Sequence, residues 1–159
     1  MRRGYRRMVI GGLVAGCLAI GAGVEVRAGA PLTVHASPDA AGATAGRARI
    51  ASKPGWTGRY VTIHGGTQES SLTPLWTPWP RWWVDWTEDD DRSDPRARFL
   101  THYRGQSVVV LRGPQKKKHV RCAFRMGAAT SEGTHGHGVC QVRASGKEVR
   151  AAIVVAPTP

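Results

Sequence analysis

The chain has 159 residues and a formal net charge of +12, with 23 Lys and Arg against 11 Asp and Glu. That length is enough for one small domain after a leader is removed, and too short for two that each bury a core. The sequence holds no glycine-rich phosphate loop, no Cys-x-x-Cys pair and no serine flanked by a nucleophile motif, which removes the enzyme classes most readable from sequence.

Residues 1–28 read as an export signal. Arg2, Arg3, Arg6 and Arg7 form a basic start, and residues 8–24 then carry no charge. Val26-Arg27-Ala28 offers small or apolar side chains where a signal peptidase cuts, so a mature chain from Gly29 is expected. An uncleaved membrane anchor is the alternative, because the apolar run is at the short edge of what spans a bilayer. Val14-Ala15-Gly16-Cys17 is similar to a bacterial lipobox, which would lipidate Cys17, but Leu18-Ala19-Ile20 is apolar where a polar tether should start. Arg6-Arg7 before Met8-Val9-Ile10 is similar to a twin-arginine export signal. Removal of the segment takes five Arg and one Glu, so 131 residues, two cysteines and a charge of +8 remain. The expected location is periplasmic or secreted, with membrane anchoring as the alternative. The expected partners are anionic envelope components, namely phospholipid heads, lipopolysaccharide or acidic glycans, and not nucleic acid.

Residues 29–58 are rich in Ala and Gly and contain Pro31, Pro38 and Pro54. Such small side chains bury little area, and the segment is expected to be a flexible tether, with one short strand at Leu32-Thr33-Val34. A small β domain is expected over residues 59–159, with a Trp-rich insertion at 72–97. Residues 60–64, YVTIH, are β-branched and aromatic and end at Gly65-Gly66, which predicts a strand. Residues 98–104 (RFLTHYR) and 107–112 (SVVVLR) predict two more, parted by Gly105-Gln106.

Five of the six tryptophans fall in residues 75–86, LWTPWPRWWVDW. Pro74, Pro78 and Pro80 forbid a regular helix and favour polyproline II, which would place Trp76, Trp79 and Trp82 along one edge at roughly 9 Å intervals. The first expectation is a lid in which these rings, with Trp83 and Trp86, supply apolar area that a small core needs. An aromatic platform stacking a glycan on Trp76, Trp79 and Trp82 is the second. Insertion at a membrane interface is the third, and the acidic run Glu88-Asp89-Asp90-Asp91 with Asp94 opposes it on anionic lipid. That run lacks the Gly and distal Glu of a calcium loop and is expected to be solvated.

Gly113-Pro114-Gln115 with Lys116, Lys117 and Lys118 predicts a hairpin tip. Such a tip is ordinarily solvated, but Lys116, Lys117, Lys118 and Arg121 could form an anion-binding patch that Arg125 extends. Residues 119–155 alternate with period two. Val120, Cys122, Phe124 and Met126 share one face, and Arg121, Ala123 and Arg125 the other. Cys140 and Val142 share a face, as do Val149, Ala151, Ile153 and Val155, and Ser145-Gly146-Lys147 marks a tight turn. Cys122 and Cys140 thereby meet on one face of neighbouring strands, where a disulfide worth roughly 3 kcal/mol is expected in an oxidising compartment. His135 and His137, at i and i+2, could hold one metal with His119 as a third ligand. No spacing fixes a fourth ligand, so exposed histidines in a Gly-rich turn are expected, and no cofactor.

Gly136-His137-Gly138-Val139-Cys140-Gln141-Val142 followed by Ser145-Gly146-Lys147 resembles the closing hairpin of short uncharacterised exported proteobacterial proteins, in which an earlier Cys is the partner of the hairpin's Cys. The resemblance covers residues 119–155 and implies a small antiparallel β domain in the cell envelope. The predicted fold is mostly β, a small antiparallel sheet or partly open barrel of about six strands with a Trp/Pro-rich loop. The expected role is a non-enzymatic binding or structural module of the envelope. A small envelope enzyme acting on a glycan through the Trp-rich segment and the acidic loop is the alternative.

Overall fold

A computed structural model describes residues 31–67, 71, 72, 75, 94–115 and 118–157. Within them the fold is mostly β. The strands are β1 (Leu32–Pro38), β2 (Ala45–Ile50), β3 (Thr57–Thr62), β4 (Gln106–Arg112), β5 (His119–Thr130), β6 (Gly133–Val142) and β7 (Glu148–Val155), with helix α1 (Pro95–His102) between β3 and β4. Each strand pairs antiparallel with the next, and β7 pairs parallel with β1, which closes a seven-stranded barrel. The parallel closing pair follows from the odd count. Strands in a meander alternate in direction, so the first and seventh run the same way.

The expectations of a tether and of a small sheet or partly open barrel of about six strands are therefore corrected to a closed barrel of seven. Residues 29–58 hold β1, β2 and the start of β3, so the barrel includes strands well before residue 59. Val34, Ala36, Ala48 and Ile50 all belong to the core. The reason is barrel width. Eight strands already leave room for little more than side chains, and seven leave less. The inner faces of β1 and β2 therefore take Ala beside Val and Ile, and residues too small to build a flat sheet's core fit this bore. Residues 98–104 are the second correction, because most of them lie in α1. Asp94 accepts a hydrogen bond from the Arg96 N–H at 3.1 Å and Pro95 occupies the first turn, which is a helix start. Phe99 and Tyr103, four residues apart, then fall on one face with ring centroids 5.0 Å apart.

Tyr60, Val109, Leu111, Val120, Phe124 and Ile153 fill the bore together with Cys122 and Cys140. The two cysteines stand opposite each other across β5 and β6, and their sulfurs are at disulfide distance, 2.02 Å. The hydroxyls of Thr62 and Ser107 share a hydrogen bond of 2.7 Å near one end of β3. Trp56, half-buried at the other end, packs its indole on Gly113, where an added Cβ would come within 3.1 Å of the ring. Backbones approach closely at the tightest coils of the wall. A Cβ on Gly58 would stand 1.8 Å from the Val110 carbonyl oxygen, and one on Gly138 would stand 1.8 Å from that of Ala123.

The outer face of β3 and β4 is also dry towards the end of β3 and the start of β4. Val61, Ile63, Val108 and Val110 pack beneath Phe99 and Tyr103, with the helical residues Leu72 and Leu75. This second layer covers one side of the barrel. The outer face of β1 and β2 is left to polar side chains.

Candidate anion-binding face

Side chains on a strand alternate between bore and exterior, so inward Ala48 and Ile50 force Arg47 and Arg49 outward. The register carries this across the wall. His35 of β1 pairs with Arg49 of β2, Arg49 with Thr57 of β3, and Thr57 with Arg112 of β4. These four form one row perpendicular to the strands. Ser37, Arg47 and Arg59 form the adjacent row. The two rows line an open trough of about 850 Å³, bounded at one end by Gly113 and Pro114.

Arg59 is answered by Asp39, whose Oδ1 accepts from Arg59 Nη1 at 3.0 Å while Oδ2 accepts from Nη2. Arg47 and Arg49 stand exposed. A guanidinium presents planar paired donors to a carboxylate, phosphate or sulfate and does not deprotonate in proteins. The face is therefore cationic at any physiological pH, with the hydrogen-bonding side chains of His35, Ser37 and Thr57 set among the guanidinium groups. Sequence reasoning passed over these residues although a signal was present. Residues 47–50 read R-A-R-I, a period-two alternation, inside a segment whose Ala and Gly content otherwise suggested a tether.

The sites expected from sequence are dispersed. Lys118 is exposed at the β4–β5 turn, beside the register pair Arg112 and His119 and so near the trough's end. Lys116 and Lys117 lie outside the described residues. Arg121 does face outward, but it is only 2% exposed. Its neighbours in register are Val110 and Gln141, and its Nε donates to Gln141 Oε1 at 2.9 Å, with Nη2 donating to the same oxygen. It is close enough to Tyr103 to act on its phenol. Burial pushes that phenol up to about 12, and the Arg121 charge opposes the rise. Arg121 is thus packed against the second layer rather than presented with Lys118 to solvent.

His135 and His137 both point outward from β6 and are exposed. Arg125 stands in register with His137, and a guanidinium there repels a cation. His119 is six residues along β5 from Arg125, a distance of roughly 20 Å at the rise of an extended strand. The described residues hold no group of three His, Cys, Asp or Glu side chains placed to share a metal ion. A smaller depression of about 430 Å³ on this wall is lined by His102, Tyr103, Arg125, His137 and Glu148 among others. The export segment with Cys17, the tryptophans Trp76, Trp79, Trp82, Trp83 and Trp86, and the acidic run of residues 88–91 lie outside the described residues. Among the described residues no helix is long and apolar enough to cross a membrane. Comparison with protein-family models, with curated proteins and with solved structures finds no match to this chain.

Proposed function

We propose that this protein is an exported, non-enzymatic binding module of the cell envelope that takes its ligand on the outside of its barrel. The observation that carries the reading is a filled bore beside a basic outer wall. A barrel that carries a small molecule inside keeps a cavity for it. Here Tyr60, Leu111, Phe124 and Ile153 occupy that space. Ligand contact is left to the exterior, where the rows through Arg47 and Arg49 offer donors to an anion. Export is supported by the basic and apolar residues of 1–28, by the similarity of the closing hairpin to exported proteins, and by a cysteine pair suited to an oxidising compartment. A mature charge of +8 draws the domain towards anionic surfaces.

The test starts with mature protein recovered from an exporting host and sedimented with isolated envelope fractions. Wild type is expected to co-sediment. The Arg47→Ala/Arg49→Ala variant, matched to wild type in melting temperature, is expected to stay in the supernatant. Equal retention of both proteins would reject the outer face as the binding surface. Release of glycan fragments from the envelope by the purified protein would reject the non-enzymatic reading.

A further inference from the structure

We infer that the ligand of the trough is a linear acidic polysaccharide, laid across β1 to β4 with its carboxylates on Arg47, Arg49 and Arg112 and its hydroxyls on His35, Ser37 and Thr57. The inference rests on the outer-face reading above and names the ligand for it. The first ground is the layout of charge. Adjacent strands lie about 4.8 Å apart, so the row from His35 to Arg112 spans roughly 14 Å. Donors strung along such a line suit a chain of anions, whereas a single small anion is best held by donors that converge. The second ground is the order of side chains in that row. Along it the guanidinium groups of Arg49 and Arg112 alternate with the hydrogen-bonding side chains of His35 and Thr57. A polymer that alternates carboxylates with hydroxyls presents the complementary order.

Two other polyanionic surfaces fit less well. A membrane is flat or convex at this scale, and the face is a trough. Membrane-binding faces also insert apolar side chains. Val139, the large apolar side chain most exposed among the described residues, lies on β6 across the barrel, and Trp56 is turned against Gly113. Single-stranded nucleic acid is held by aromatic rings that stack on its bases. None of the described residues lining this face is aromatic apart from His35.

The experiment follows backbone amide resonances of the wild-type protein during titration with oligogalacturonate, with neutral dextran oligomers, oligothymidylate and phosphatidylglycerol vesicles as comparisons. Saturable shifts confined to β1, β2, β3 and the start of the β4–β5 turn are expected with oligogalacturonate, and none with dextran. Arg47→Ala/Arg49→Ala is expected to weaken binding at least about tenfold, through loss of two charge-assisted donor sets. Lys147→Ala/Arg150→Ala makes the same change of charge at and before the start of β7, at least four residues along that strand from Val154, the partner of His35 in register, and is expected to stay within about twofold, because distant charges are screened. Shifts scattered over the whole surface, or equal losses in the two variants, would overturn the inference in favour of diffuse charge attraction. Tighter binding of oligothymidylate or of vesicles would overturn it in favour of that partner. If oligogalacturonate gives no shifts while envelope binding still depends on Arg47 and Arg49, the polysaccharide is wrong and the outer-face reading stands.

Discussion

Burial pushes the phenols of Tyr60 and Tyr103 up from 10.0 to about 12. At Tyr60 the carboxylate of Asp39 adds to the effect of burial and Arg59 opposes it; at Tyr103 the opposing charge is Arg121. The unfolded phenols ionise at their ordinary value, so between about pH 10 and about pH 12 the native state binds more protons than the unfolded one. The stability these groups contribute is fully present below pH 10 and is lost as pH rises through that window. Calorimetry is expected to show the wild-type melting temperature falling across it, and the Tyr60→Phe/Tyr103→Phe variant falling less. Parallel declines would assign the effect to other groups. Arg121 shows where alternation stops being informative. Period two places it on the outer face, which is where it lies. Whether a second layer covers that face depends on residues far away in the chain, and the pattern around Arg121 carries no trace of them.

At the scale of the element, α1 is held by one aromatic face and one cap. Phe99 is buried between the helix and the outer faces of β3 and β4. Phe99→Ala is expected to cost about 3 kcal/mol, from lost transfer energy and the cavity left behind. Asp94→Ala removes only the bond to the Arg96 N–H and is expected to cost about 1 kcal/mol. Denaturant titration of both variants checks the order, and a Phe99 cost no larger than the cap's would mean that α1 is not fixed to the barrel by this face. Asp94-Pro95 was a legible start signal. The aromatic and β-branched content of residues 98–104 outweighed it, although Phe99 and Tyr103 already had helical spacing. β1 and β2 were harder for a different reason. Ala36, Ala48 and Gly46 signal flexibility to any reading that equates core with large side chains, and a narrow bore reverses that equation. The basic face shared the fate of these strands, since Arg47 and Arg49 cannot be placed on a wall until β2 exists.

For the molecule as a whole, the cysteine pair staples the wall at β5 and β6. It links positions 18 residues apart. Replacing both by Ser is expected to lower stability by about 3 kcal/mol, the scale for a loop of this length. The native thiols are expected to resist alkylation until a reductant is added, and prompt labelling of both without reductant would contradict the pairing. The face shared by Cys122 and Cys140, like the strands β4 to β7, could be read from alternation because each pairs with a neighbour in sequence. Closure could not. The pair that closes the barrel joins Leu32 to Ala151, which are 119 residues apart, and no local pattern announces a partner at that distance.

That closing pair has a consequence for how the chain is made. β1 leaves the ribosome first among the strands and its second neighbour, β7, leaves last. Until then the nascent domain carries two open edges, one on β1 and one on the newest strand, each a row of unpaired N–H and C=O groups that can recruit another chain. Bringing such distant segments together carries a loop-closure entropy that grows with their separation, so the step comes late and is slow relative to the hairpins. Loss of β7 by truncation or proteolysis would return the domain to that open condition, with β1 bare on one side and a sticky sheet in place of a sealed cylinder.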